Sequence, residues 1–135
     1  MKRLTIILLS ALTCVTLRPA HAGDKPVIEA AIAVDGNTKP TDTFAADTPK
    51  LIGFFRSTGT KSGDKLRGVW IAEDVGSAAP KETKIEESTI AADKDDFFGG
   101  FSLSKPAQGW PVGKYRLEIY LGETLATTVK FTITG

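Results

Sequence analysis

The segment that most constrains this chain is residues 114–134, KYRLEIYLGETLATTVKFTIT, two alternating apolar–polar runs joined at Gly122. In an extended run Tyr115, Leu117, Ile119 and Leu121 share one face, as do Leu125, Thr127, Val129, Phe131 and Ile133 in the next. A period of two is the mark of a strand with one face in a core. A two-residue turn at Gly122-Glu123 would pair Leu121 with Thr124 and put Leu125 on the face of Tyr120 and Glu118, wasting the apolar stripe. A three-residue loop, Gly122-Glu123-Thr124, joins both stripes. It sets Leu121 opposite Leu125, Leu117 opposite Val129 and Tyr115 opposite Phe131, so the connection needs an odd residue count or a bulge.

Upstream, short apolar segments are cut at short intervals by Gly, Pro, Asn and Asp. Strands are expected over 27–34, 51–56, 66–73, 98–104, 114–121 and 125–133. The breakers include Asp35-Gly36-Asn37, Thr48-Pro49, residues 59–64 and 76–80, Gly99-Gly100 and residues 106–113. That layout is an all-β sandwich or barrel. Residues 84–93 are ambiguous, because Ile85 and Ile90 fit neither period and suit a strand of a second sheet or a short helical passage. The sequence contains no internal repeat and no low-complexity tract.

The first 22 residues have a different grammar: a basic start to Arg3, an apolar run over 4–17, and Ala20-His21-Ala22 with small residues where a signal peptidase reads. A cleaved secretory leader is expected, with the mature domain spanning 23–135. The apolar run is short of the roughly 20 residues of a membrane-spanning helix. Lipidation at Cys14 is the less suitable alternative, since Ala11-Leu12-Thr13 places Leu one position late. Removal of the leader takes away the only His, the only Cys and the only Met. A periplasmic or secreted protein without imidazole or thiol lacks the usual ligands of zinc, copper and iron, and neither a metal nor another cofactor is expected.

Losing Lys2, Arg3 and Arg18 turns 17 basic against 16 acidic residues into 14 against 16, a formal charge of −2. Nucleic-acid binding calls for a basic stripe, and adsorption to an anionic membrane for a polybasic segment; neither is present. The remaining 113 of the 135 residues suit one domain with one core.

Trp70 sits in the middle of LRGVWIAED, and Gly113-Lys114-Tyr115-Arg116-Leu117 has the form Gly-x-Tyr-x-core residue. Here the chain resembles the immunoglobulin-like β-sandwich, and its layout is similar to modules of exported bacterial proteins that end in a GWPxGxY…F-x-I hairpin. The resemblance implies about seven strands in two antiparallel sheets, with Trp70 buried on the third strand. It implies that Tyr115 ties back to the backbone and that Leu117 stands where antibody domains carry a cysteine. It says nothing about a ligand.

Candidate chemistry is thin. Without His, nucleophilic hydrolysis would need a Ser–Lys pair. Ser104 and Lys105 point to opposite faces of a strand, and Ser62 and Lys65 lie in a turn. Adjacent carboxylates (Glu73-Asp74, Glu86-Glu87, Asp95-Asp96) diverge on a strand, whereas a glycosidase pair must face across a cleft. The run Asp93-Lys94-Asp95-Asp96 fails as an EF-hand because Phe97 and Phe98 occupy its fifth and sixth positions; a looser calcium site from two loops is the remaining metal option.

Aromatic side chains are the functional material left. In Phe54-Phe55 and Phe97-Phe98 one ring of each pair must leave the core, and Trp110 lies in a Gly109-Trp110-Pro111 loop. Burial is the commoner fate of such a Trp. The expectation is a non-catalytic binding module that meets a protein partner through an aromatic surface with an acidic rim: Phe97, Phe98, Asp95, Asp96 and Trp110. A small-ligand or glycan-binding module is the first alternative and requires Trp110 coplanar with Phe97 or Phe98. A His- and Cys-free hydrolase is the second. Segments 93–101 and 105–113 flank opposite ends of one strand, so the Phe97 end alone is favoured.

Overall fold

The computed structural model describes residues 26–35 and 39–135. The expected leader, with Cys14 and the Ala20-His21-Ala22 cleavage site, lies outside the described residues, as do Gly36 and Asn37 of the first turn. The architecture is all-β. Its strands are β1 (Val27–Val34), β2 (Thr43–Ala45), β3 (Lys50–Thr58), β4 (Lys65–Asp74), β5 (Thr83–Ala91), β6 (Asp96–Ser104), β7 (Gly113–Leu121) and β8 (Thr124–Thr134). A 3₁₀ turn, Gly76–Ala78, follows β4. One sheet has three strands in the order β1-β3-β6, and the other five in the order β2-β8-β7-β4-β5. Pairing is antiparallel except for β2, which joins β8 in parallel. Consecutive strands β1 and β2 therefore lie in different sheets. The six expected strands are all present, each within two residues of its expected ends.

Trp70 holds the centre of the sandwich at 1% exposure, paired with Leu117 on β7 and set edge-on to Phe131 at 5.9 Å. Its indole N–H is buried and finds no acceptor. Gly53 on β3 faces it from the other sheet, where a Cβ would overlap the Leu117 side chain. A glycine–leucine contact thus takes the place where antibody domains join their sheets by a disulfide, and it brings the two sheets together over the indole. Tyr115 stacks on Phe131 at 5.3 Å, and its hydroxyl donates to the Pro111 carbonyl, the tie expected of a tyrosine at this corner.

Of the two solutions, the C-terminal hairpin takes the bulge rather than the three-residue loop. Leu121 pairs with Thr124 across the two-residue turn Gly122-Glu123, and Tyr120, not Leu121, lies opposite Leu125. A register shift after Ile119 then sets Ile119 opposite Thr127, leaving Ala126 as the extra residue and restoring the Leu117–Val129 and Tyr115–Phe131 pairs. The physical reason lies in the turn: Gly122 has φ +63°, which the first central position of a type II′ turn requires, and the bulge absorbs the odd residue. Leu125 is left largely exposed in consequence.

Within residues 84–93, positions 84–91 belong to strand β5, the edge of the larger sheet, and Ala92 and Asp93 follow it in the connection to β6. The period of the strand is obscured because Ile90 alone of residues 84–91 packs against the core, and because a register shift between Trp70 and Ile71 leaves Ile85 unpaired and facing solvent. The short strand β2 has no sequence signal beyond Phe44, its single buried residue.

Candidate interaction surface

Alternation along the strands gives each sheet an outer face, and the two faces differ in chemistry. On the larger sheet Arg116 is 16% exposed and reaches Glu118 at 3.0 Å, Glu73 at 3.1 Å and Glu82 at 2.8 Å. These bonds, that to Glu82 foremost, hold the guanidinium above its ordinary pKa, and the Glu82 carboxyl is held below its own. Arg67 stacks on the Tyr120 ring at 4.3 Å and bonds Glu87 at 3.0 Å, while the Tyr120 hydroxyl donates to Glu118. The polar groups of this face satisfy one another.

On the smaller sheet the register sets Glu29, Arg56 and Phe98 in one outward row, Ala31, Phe54 and Gly100 in the next, and Ile52 with Ser102 beyond. Phe54, Ile52 and Ala31 are half-buried, and Phe98 is 69% exposed, the most open large apolar side chain among the described residues. The Arg56 guanidinium lies over the Phe98 ring at 5.3 Å and grips Asp96 through two bonds of 3.0 Å. That hydrogen bonding holds the Asp96 carboxyl below the usual carboxylate range. Cation, ring and carboxylate form one braced cluster, and bracing lowers the rotamer entropy that binding would otherwise cost.

The chain before β6 is anchored from beneath. Thr60 and Ser57, both buried, meet at 3.2 Å, and Thr60 donates to the Lys94 carbonyl at 2.9 Å. The Asp95 carbonyl accepts from the Gly59 amide at 2.8 Å. Asp93, Lys94, Asp96, Phe97 and Phe98 line a shallow depression of about 390 Å³.

Four of the five residues expected at the surface come together here. Phe98 and Asp96 form the cluster, Asp95 stands exposed beside it, and Phe97 turns inward, half-buried with its ring 6.0 Å from Phe55. Trp110 does not join them. It is 3% exposed, its Nε1 donates to the Thr48 carbonyl at 2.6 Å, and its ring meets Tyr115 edge-on, so it closes the core at the other end of β6. Because β6 pairs with β3 without a register break through Gly99-Gly100, its two ends stay apart. Among the described residues no three His, Cys, Asp or Glu side chains gather as a metal site would require.

Arg56 is the participant that sequence reading missed. It lies 40 residues from its carboxylate partner, and only the β3–β6 register brings the two together. Phe54 announced itself as one of an adjacent aromatic pair, but nothing in the sequence said that Ile52 shares its face.

Neither a protein-family profile nor a curated protein sequence matches the chain. Among solved structures, an immunoglobulin-like protein from Pseudomonas aeruginosa is similar with a TM-score of 0.54 and 15% identity, over 84% of this chain and 99% of that one. A mutant β-glucosidase from Listeria innocua, in complex with laminaribiose, is similar over 82% of this chain, with a TM-score of 0.51 and 10% identity. The chain spans only 16% of that enzyme. Likeness at such identity concerns architecture alone. Together with the two-sheet topology, the buried Trp70 and the Tyr115 corner, it shows that this chain has an immunoglobulin-like fold.

Proposed function

We propose that the protein is an exported, non-catalytic interaction module, and that the outer face of its three-stranded sheet receives a protein partner in the cell envelope or outside the cell. The observation that carries this reading is Phe98: a large aromatic ring, 69% exposed and backed by Arg56, standing beside the half-buried apolar residues Phe54, Ile52 and Ala31. An exposed aromatic that leads into a contiguous apolar face, with charged residues at one end, is how protein interfaces concentrate affinity. Asp95 and the Arg56–Asp96 pair supply orientation at the rim.

A glycan-binding role draws less support, since the paired platform it called for has lost Trp110 to the core. Catalysis draws less still: the depressions that line the surface are shallow, and the best ion-bonded carboxylates, Glu73 and Glu118, are engaged by Arg116. Export rests on the leader, and N-terminal sequencing of the secreted or periplasmic protein should read from Gly23.

Phe98→Ala tests the surface. Capture of the partner from the protein's own cell envelope should weaken by at least about 2 kcal/mol, on the order of thirtyfold, as for a hot-spot anchor. Undiminished binding by the folded variant would remove this face from consideration. Phe97 should be left in place, since its packing on Phe55 would mix stability with binding.

A further inference from the structure

Sheets end in edges, and an edge strand presents unpaired backbone groups to any extended chain that comes near. Three of the four edges here are blunted. Strand β1 is covered where its Ile32 carbonyl accepts from the Thr41 amide. Strand β2 has three residues. Strand β5 carries Lys84, Glu86 and Glu87 along its length. Strand β6 has no such protection: it is nine residues long, DFFGGFSLS, with no charge between Asp96 and Lys105 and no proline.

Which backbone groups face out follows from the register. The Asp95 carbonyl accepts from Gly59 and the Lys105 amide donates to Pro49, so the odd-numbered residues turn their amides and carbonyls toward β3. Those of Asp96, Phe98, Gly100, Ser102 and Ser104 therefore point to the open edge. All five residues are exposed, and no loop backbone bond among the described residues reaches them.

The occupant that this edge fits is its own copy. Gly100 is the midpoint of β6, and antiparallel pairing about it sets Gly100 opposite Gly100, Phe98 opposite Ser102, and Asp96 opposite Ser104 of the second chain, all through outward-facing groups. One step beyond, Asp95 of one chain lies opposite Lys105 of the other, twice by symmetry. Acidic at one end, basic at the other and glycine in the middle, the strand is charge-complementary to itself in the antiparallel direction only. The exposed Phe98 ring would lie diagonally across from the other chain's Gly100, where no side chain competes for the space.

We propose that the protein self-associates through β6, two copies joining their three-stranded sheets into one continuous six-stranded sheet about a two-fold axis at Gly100. This deepens the binding-module reading by naming the partner as a second copy, and it rests on that reading only for the availability of Phe98.

Sedimentation velocity of the purified protein, over a concentration series, reads the association. The natural protein should move from monomer to dimer mass. Gly100→Lys should remain monomeric with an unchanged unfolding midpoint, because a Cβ at Gly100 meets nothing closer than 3.5 Å while two like charges would face each other across the axis. Lys105→Asp should weaken the dimer by about tenfold, two attractive pairs becoming repulsive. Adding Asp95→Lys to it should restore the affinity, which no loss of fold could imitate. A natural protein monomeric at all concentrations, a dimer indifferent to Gly100→Lys, or a double variant without recovery would each overturn the proposal. A monomer that nonetheless captures an envelope protein through Phe98 overturns the dimer and leaves the binding-module reading standing.

Discussion

On the outer face of the five-stranded sheet Arg116 sits among three carboxylates and Arg67 bridges Tyr120 and Glu87; on that of the three-stranded sheet Phe54 and Ile52 lead to the open ring of Phe98. Both faces lie over one core. The edges repeat the contrast, β5 being lined with Lys84, Glu86 and Glu87 and β6 carrying glycines and small polar residues. A face whose charges are mutually neutralised has little left to offer a partner, while an apolar face leaves surface for another molecule to cover. The lesson is that the position of function on a sandwich is read from what each face leaves unsatisfied, since the fold supplies both faces equally.

The comparison presupposes one shared core, and the largest expected effect breaks it there. Trp70→Ala should cost about 3 to 5 kcal/mol by denaturant midpoint and loosen both faces together. Trp110→Ala should follow close behind, because its ring is buried and its N–H bonds the Thr48 carbonyl; a loss below about 1 kcal/mol would mean that the loop closes nothing.

Next, Arg116→Ala should cost about 1 to 3 kcal/mol, since Glu73 and Glu118 would be left partly buried without their cation. Self-association and partner capture should be unchanged. A variant that keeps its stability but loses binding would reverse the assignment of the two faces.

Alkaline titration sharpens the account of the shared core. Burial pushes the Tyr115 phenol up to about 12, whereas an unfolded tyrosine ionises near the ordinary 10. With the folded value raised, the stabilisation is whole below pH 10 and is lost as pH climbs from there toward 12. Tyr115→Phe should start less stable by about 1 kcal/mol, having lost its bond to Pro111, and show a flatter decline in that window. A decline identical to that of the natural protein would assign the alkaline loss to other groups.

The smallest effects belong to the open face. Phe98→Ala should change stability by less than about 0.5 kcal/mol while weakening partner capture on the order of thirtyfold, which separates surface from core. Asp96, held below the usual carboxylate range by Arg56, stabilises the fold above its unfolded pKa and ceases to do so as pH falls through its lowered folded one. The pair is exposed, so Asp96→Asn should differ from the natural protein only slightly near neutrality, and should flatten the acid dependence below about pH 4 by that carboxylate's share.

How much of this was legible beforehand depends on range. Period-two alternation marked β7 and β8, each with one face in the core, and the Trp70 and Gly-x-Tyr signatures marked the two-sheet core, because each is local; β4 itself is buried on both faces around Trp70. The bulge at Ala126 and the two-residue turn were not chosen over a longer loop, since both solutions align the same apolar stripe and differ only in local turn geometry. Residues 84–91 hid their strand because an edge that packs through Ile90 alone carries no period. Phe98 and Asp96 were visible as an aromatic beside acidic residues, but Arg56, which braces both, is joined to them by register alone. Trp110 was divided between surface and core until Thr48 and Tyr115 supplied its partners.

The most direct test of the central claim is site-specific photocrosslinking in the protein's own compartment. A benzophenone side chain would be placed at position 98 on the open face and, in a second variant, at position 128 on the exposed outer side of β8. The account predicts a discrete crosslinked protein species, a second copy of this chain included, from position 98 and none from position 128. Adducts from position 128 with none from position 98 would contradict it.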